Sequence, residues 1–526
     1  MNGDVWCEDS TNRLDSLLAR LPRAGAERLS DSLGRTETGF DVDLRTPFVN
    51  RESSREDISA SLKASLPEIE FEELVRINEA EISKLGPLSL MYPYAKREGD
   101  VKKYWVQEWN VDDTCFEKAV SAVRLLLPLR SLRIGSFSTA FELMPKDTSL
   151  GLPWLTRDRK YAQAYLERAM KIVDPHDIYP CVLYWRGQQA GPNETKQRVI
   201  WGFDHAESIL GATILYPLIS SLKDKEGFAA WKGNDFVDEE LTQLLQHAQG
   251  RRIISMDYTG FDSSLHRNIL NAVDDIMASW FADPGPERIR LLGDISARVP
   301  LVVPHDVLLG RDGGMPSGSV LTNMRDTIAN LIAAEYIACK LGTQLVRYAI
   351  MGDDGVYLFA DDISEQEVTS TVSDLGLESN ASKVFVSRRS AHYLQRWHSL
   401  DYVVDGLSRG VRSPFRALCG MLGYERRRSG WSKWMDSIRW IMQCENVKWY
   451  PFFEAFVLFL KSGDSVLSSG VDPAVIAKKA GGADVIRSTL GIESYPYNYR
   501  DPEGIDEFET TRILRKTTDL VRESVL

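Results

Sequence analysis

Residues 346–359, VRYAIMGDDGVYLF, constrain this chain more than any other stretch. Two apolar, β-favouring runs flank a Gly-Asp-Asp turn, which predicts a β-hairpin with two adjacent carboxylates at its tip. Such a turn needs only one or two Gly or Asp residues. A second acid beside the first crowds like charges at a loop tip, which is unfavourable unless a cation sits there. Alone, the tripeptide reads equally well as a solvent-exposed turn. The deciding question is whether other carboxylates can be placed beside it.

A partner lies upstream, in MDYTGFD at 256–262. Asp257 ends the short apolar run 253–257, a strand edge suited to a metal-binding acid. Asp262 follows around the turn into the next helix. Asp257, Asp353 and Asp354 together make three carboxylates from two neighbouring strand ends. Hard oxygen ligands of this kind suit Mg²⁺ or Mn²⁺, which keep several waters and bind substrate phosphates. Two such ions about 4 Å apart can activate an attacking hydroxyl and stabilise a leaving pyrophosphate oxygen. By itself the segment is also compatible with Asp257 as a helix cap.

A third stretch, GGMPSGSVLTNMRDTIAN at 313–330, is a Gly/Pro/Ser turn feeding a helix. Its backbone N–H groups can meet a phosphate or a sugar. Thr322 and Asp326, four residues apart, share one helix face. As plain structure this is a well-capped helix, but three such stretches in this order are more than chance supplies.

Composition sets the outer limits. The 526 residues have room for about three to four domain-sized units or one multi-lobed body. No run approaches the roughly 18 apolar residues of a membrane span, and 449–460, broken by Glu454, reads as a buried helix. An acidic, polar N-terminus predicts no secretory signal. Six cysteines, at 7, 115, 181, 339, 419 and 444, include no Cys-x-x-Cys pair. That argues against a disulfide or zinc framework and for a reducing compartment. Seven histidines are scattered without ligand spacing. The net charge of −12 conceals a local +8 over 383–439, where 12 Lys/Arg face 4 Asp/Glu. An acidic exterior around a basic channel fits this distribution, and so does a solvated charged face.

The order DYTGFD, MPSGSVLT, MGDDGV resembles motifs A, B and C in the palm of viral RNA-dependent RNA polymerases. Chain length and the form of motif B are most similar to the polymerases of double-stranded RNA viruses, the partitiviruses and above all the picobirnaviruses. The resemblance extends over about residues 146–400. It implies an α+β right-hand fold, with fingers, palm and thumb around a basic channel and an antiparallel palm sheet flanked by helices. It also implies an RNA-directed RNA polymerase using two Mg²⁺ or Mn²⁺ ions, ribonucleoside triphosphates and an RNA template. Viral capsid protein would be a partner, no membrane would be involved, and the setting would be the virion interior and host cytoplasm.

The resemblance also assigns roles. Asp257 and Asp353 would be the principal metal ligands, with Asp354 a lesser one. Asp262 would sense the ribose 2′-hydroxyl, where reverse transcriptases carry an aromatic residue, and Ser317 and Thr322 would complete the sugar network. Many positive-strand polymerases have Asn where Asp326 stands. An ionised acid cannot donate a hydrogen bond, so the network must differ, with Asn323 or a protonated carboxyl helping. Lys196 and Arg198 share one face of a strand in motif F and would grip the triphosphate, with Arg186 a third candidate. Gly151 and Pro153, in the motif G turn, would guide the template. Lys383, in motif D, would protonate pyrophosphate. Arg388 and Arg389, in motif E, would touch the nascent strand, and a loop at 426–428 could contact RNA or be merely solvated. An aromatic stretch at 494–499 could lie in the cleft as a priming platform or plug.

Expected domains are an N-terminal arm bridging fingers and thumb (1–70), fingers (71–230), palm with motif A (231–265), a fingers insertion (266–312), palm with motifs B to E (313–400), and thumb plus tail (401–526). Within them the patterns predict helices over 14–21, 72–85, 115–127, 161–173 and about 319–341. A hairpin is expected at 179–201, a β pair at 299–309 and a capping box from Ser364 to Glu367. Beyond 397 the chain reads as helical, basic and Trp-rich.

Overall fold

The computed structural model describes residues 5–8, 11–49, 52–145, 148–379, 384–426, 430–481 and 505–525. Among the described residues the strands are β1 (Cys181–Gln189), β2 (Thr195–Gly202), β3 (Ile253–Met256), β4 (Tyr258–Thr259), β5 (Leu301–Val303) and β6 (Asp306–Leu308). They continue with β7 (Leu345–Met351), β8 (Asp354–Phe359), β9 (Glu378–Ser379), β10 (Phe385–Ser387), β11 (Ser390–Tyr393) and β12 (Arg396–Ser399).

The palm expectation is met by an antiparallel sheet in the order β10-β3-β8-β7, flanked by helices. The 346–359 hairpin becomes β7 and β8, with Met351 opposite Asp354. That register leaves Gly352 and Asp353 as a two-residue turn, and Gly352 takes the positive φ of +64° that such a turn demands. On the other side of β8, Met256 pairs with Gly355. Asp257, one residue further along, therefore emerges level with the turn.

A second sheet runs β2-β1-β5-β6, with β5 parallel to β1. The expected hairpin is there, but β1 continues to Gln189, four residues beyond the apolar run, because its pairing with β2 extends to Thr195. The pair expected at 299–309 is β5 and β6. Burial alternates along β2, leaving Lys196 and Arg198 on its open face. The β4–β9 pair that ties motif A to motif D, two residues on each side, was too short to leave a periodic signal.

The long helix Thr322–Lys340 is buried along nearly its whole length and packs beside Asp113–Arg124. This contact corrects the cysteine expectation: Cys115 and Cys339 form a disulfide, while Cys7, Cys181, Cys419 and Cys444 are buried outside any disulfide. With 224 residues between the two, no local spacing could signal it. The capping box at Ser364 and Glu367 forms as expected and opens the helix Glu365–Ser373. The 449–460 run becomes the largely buried helix Phe453–Gly463. Among the described residues no helix is long and apolar enough to cross a membrane.

The segment expected as an arm divides between two cores. Leu17, Leu29 and Leu33 pack against Val182, Val302 and Val307 of the second sheet. Phe48, Ile58 and Leu62 instead join the helices beyond residue 410. One larger core runs continuously across the expected limits at 231, 266 and 313. Glu81 accepts hydrogen bonds from Gln189 at the end of β1 and from Arg416 of the helix Pro414–Leu422, tying the second sheet to the helices beyond residue 410.

Candidate active site

Strand register brings three carboxylates to one edge of the palm sheet. Asp257 is exposed just past β3, while Asp353 and Asp354 are half-buried at the β7–β8 turn. The Asp354 carboxyl is pushed up to about 7, first by burial and then by the negative charges of Asp353 and Asp257, with Arg198 and Arg416 opposing. Among the described residues no three His, Cys, Asp or Glu side chains stand as a ready-made metal cage. A hydrated Mg²⁺ needs none, since it takes one or two carboxylates and fills its shell with water and phosphate oxygens. The donor set fits such an ion.

Beside these acids sits a second pair. Asp262 is pushed up to about 7, first by burial and then by Asp353, and it is hydrogen-bonded to Asp326. Asp326 is 4% exposed and is held well above the usual carboxylate range, by burial and then by Asp262. Two carboxyls can share a hydrogen bond only if one of them carries a proton. Arg325, the neighbouring cation, is committed to a buried pair with Asp274 (Nε–Oδ1 3.0 Å). Burial of the Asp262–Asp326 pair therefore favours a proton retained between the two carboxyls. Asn323 is exposed, beside the Gly352 turn.

The loop of motif B is tied to both neighbours. Met315 N–H donates to the Asp262 carbonyl (2.6 Å) and Gly314 N–H to that of Leu265 (2.8 Å). Ser317 Oγ donates to the Val199 carbonyl of β2 (2.9 Å), and Thr322 Oγ1 to that of Pro316 (3.0 Å). The loop crosses β2 so closely that a Cβ on Gly318 would lie 1.7 Å from the Trp201 carbonyl oxygen. Only glycine fits there. The hydroxyl protons of Ser317 and Thr322 thus hold the loop.

Arg186 stands directly opposite Arg198 across the β1–β2 pair, so the two share a face with Lys196. Arg198 is the cation whose charge reaches both Asp262 and Asp354. Arg186 is likewise exposed and turns toward Glu425 (3.6 Å).

Other expected residues lie elsewhere. Arg388 and Arg389 follow Ser387, which pairs with Ile253 at the start of β3, the opposite end of the sheet from Asp257. Arg388 is ion-paired with Asp362 (2.6 Å) and Arg389 with Asp401 (2.7 Å). Strand register thus sets the two arginines at the far end of the sheet from Asp257, each facing an acid. Gly151 and Pro153 are buried, and the Gly151 carbonyl accepts from Tyr165 Oη (2.7 Å). They shape the turn and present no surface of their own. Lys383 and the 494–499 stretch lie outside the described residues, as do Arg427 and Arg428.

Several contributors escaped the sequence reading. Buried Arg311 donates to the carbonyls of Gly313 (2.6 Å) and Gly314 (2.7 Å) and lies over the Trp201 ring, so it braces the motif B loop. Thr327 Oγ1 accepts from Gly352 N–H (2.8 Å), fastening the acidic turn to the long helix. Polar residues on an otherwise apolar helix were the available signal for Thr327. Arg311 carried none.

Residues 88–413 match the family of viral RNA-dependent RNA polymerases. The potential RNA-dependent RNA polymerase of human picobirnavirus (strain Human/Thailand/Hy005102/-) is 29% identical over 426 residues, 75% of this chain and 76% of that protein. The RNA-directed RNA polymerase of Cryptosporidium parvum virus 1 is 26% identical over 281 residues, 49% of this chain and 53% of its own length. The crystal structure of the RNA-dependent RNA polymerase of a human picobirnavirus superposes with a TM-score of 0.80 at 26% identity, over 93% of this chain and 96% of that one. Its insertion-loop deletion mutant gives 0.77 at 24% identity, over 91% and 99%, a likeness of fold. The family match takes in both four-stranded sheets and Asp257, Asp262, Asp326, Asp353 and Asp354, and with it the chain belongs to the viral RNA-dependent RNA polymerases, built on their right-hand fold.

Proposed function

We propose that this polymerase extends RNA by two-metal, template-directed nucleotidyl transfer, serving replication and transcription of a double-stranded RNA genome. A 3′-hydroxyl attacks the α-phosphate of a ribonucleoside triphosphate, and pyrophosphate leaves. Asp257 and Asp353 would hold Mg²⁺ or Mn²⁺, with Asp354 the lesser ligand. Ions bound there supply Lewis-acid charge stabilisation and an activated hydroxyl. Arg198 and Lys196 neutralise and orient the triphosphate, which aligns the α-phosphate with the attacking oxygen. Asp262, acceptor-only once ionised, takes a hydrogen bond from the ribose 2′-hydroxyl, the group that distinguishes RNA from DNA. Lys383 would give its proton to the leaving pyrophosphate.

The observation that carries this reading is the level placement of Asp257 against Asp353 and Asp354, three acids whose mutual repulsion helps lift Asp354 to about 7. Negative charge concentrated in this way calls for a cation. Asp353→Asn is expected to abolish labelled-nucleotide incorporation on a single-stranded RNA template while leaving RNA binding and folding intact. Incorporation at the wild-type level would overturn the proposal. A reverse transcriptase is the alternative, and Asp262 speaks against it. The same reading places the protein in the virion interior and host cytoplasm beside capsid protein, which co-sedimentation of polymerase with purified particles would test.

A further inference from the structure

Asn330 lies two turns along the helix Thr322–Lys340, fully buried, and is no part of the three acidic strand ends. Its Nδ2 donates to the carbonyls of Gly352 (3.0 Å) and Asp354 (3.3 Å), the residues on either side of Asp353. Its Oδ1 accepts from Tyr357 Oη of β8 and, at 3.5 Å, from Tyr258 Oη. Tyr258 is the residue after Asp257. One side chain thus holds the backbone on both sides of Asp353 and the neighbour of Asp257. Both donors and both lone pairs of the amide are used, a set that neither an acid nor an apolar residue can supply.

The amide orientation follows from its partners. Two carbonyls, which only accept, face the NH₂ group, and two phenols, which donate, face the oxygen. One turn earlier, Thr327 fixes the N–H of the same Gly352 whose carbonyl Asn330 holds. The turn therefore has no freedom to slide along the helix.

We infer that Asn330 is a positioning residue that sets the separation of Asp257 from Asp353, and so the affinity of the two carboxylates for a divalent cation. This rests on the metal-binding role proposed above. Groups that orient metal ligands typically change metal affinity by about 10- to 100-fold when removed.

The test is direct Mn²⁺ binding to the full-length chain, read by electron paramagnetic resonance of the free ion without RNA or nucleotide. Asn330→Ala is expected to weaken binding by about tenfold or more. Tyr258→Phe, which deletes one hydroxyl and leaves the ring packed, should weaken it by a smaller factor. In a double-mutant cycle the two effects should fall short of adding, because they break one linkage. Thermal unfolding of each variant separates a loss of fold from a loss of placement, and if Asn330→Ala does not fold, Tyr258→Phe decides. Variants that are less stable but bind Mn²⁺ at wild-type strength would overturn the inference and leave Asn330 a purely structural residue. Asp353→Asn is the control. If it abolishes binding while the Asn330 and Tyr258 variants do not, only this inference falls. If Asp353→Asn also leaves binding untouched, the metal reading falls with it.

Discussion

Replacing Asp326 by Asn isolates the proton that the acid pair retains. In the folded wild type Asp262 is raised from an ordinary 3.8 to about 7, and Asp326 stands well above its ordinary value too. An acid whose pKa rises on folding contributes stability that is fully present below the unfolded value and is lost as pH climbs through the folded one. Here that window runs from about pH 4 to about pH 7. Each retained proton is worth about 1.4 kcal/mol per pH unit. A proton kept by folded Asp326 but lost by the unfolded chain between about pH 5 and about pH 7.5 sets a ceiling of about 3 kcal/mol, and relaxation around the site brings the expected loss nearer 2 kcal/mol. The Asp326→Asn variant lacks the Asp326 proton altogether, while burial and Asp353 still raise Asp262 in both proteins, so the variant should lose less stability across this window by the share that Asp326 contributes. Urea unfolding in EDTA, compared at about pH 5 and about pH 7.5, reads the difference between the two proteins. Asp354 and the other raised acids titrate in both and cancel. The variant should gain on wild type by about 2 kcal/mol at the higher pH. Parallel profiles would show that no proton is shared between the two carboxyls.

Two further outcomes follow from the same geometry. Asp262→Ala should lower discrimination between ribo- and deoxyribonucleotides by about 10- to 100-fold, the worth of one hydrogen bond to a charged acceptor. Competitive incorporation on an RNA template measures it. Arg198→Ala should raise the KM for nucleotide and move the acidic limb of the activity profile to higher pH, because this cation depresses both Asp262 and Asp354. Steady-state rates across pH would show both changes, and an unmoved limb would mean that Arg198 contacts only substrate.

What the sequence made legible were local signals whose physics is short-ranged. The Gly-Asp-Asp turn, the alternation that exposes Lys196 and Arg198, and the Ser364–Glu367 cap each depend on a few adjacent residues, and each formed. The level meeting of Asp257 with Asp353 was legible too, since a strand-end acid and a turn acid meet wherever their strands pair. Illegible features depended on which distant elements pack together. The β10–β3 register that sets Arg388 and Arg389 at the far end of the sheet from Asp257 is one such pairing. Cys115 and Cys339 gave no sign because only the side-by-side packing of two helices joins them. Asn330 closed the 313–330 stretch in plain view, yet its partners come from β4, β8 and the acidic turn, none adjacent in sequence.

The departure at Asp326 gains its meaning from the charge balance of the cleft. Five carboxyls, those of Asp257, Asp262, Asp326, Asp353 and Asp354, gather where Arg198 is the cation that acts on both Asp262 and Asp354. Without metal, burial first and the neighbouring negative charges second raise Asp262 and Asp354 to about 7. On the metal-binding role proposed above, protons and divalent ions then compete for one site. A cation arriving beside Asp354 must displace a proton, so apparent metal affinity should fall as pH drops below about 7. Asp326 is set apart from this competition: deeply buried and held well above the usual range, it keeps its proton and goes on donating to Asp262 while the ligand acids ionise. Mn²⁺ titrations with a pH indicator should register proton release near neutrality that vanishes well above it. Asp354→Asn should reduce the release, whereas Asp326→Asn should leave the part due to Asp354 in place. Metal binding that releases no protons at neutral pH would mean that the raised pKa of Asp354 has no part in holding the ion.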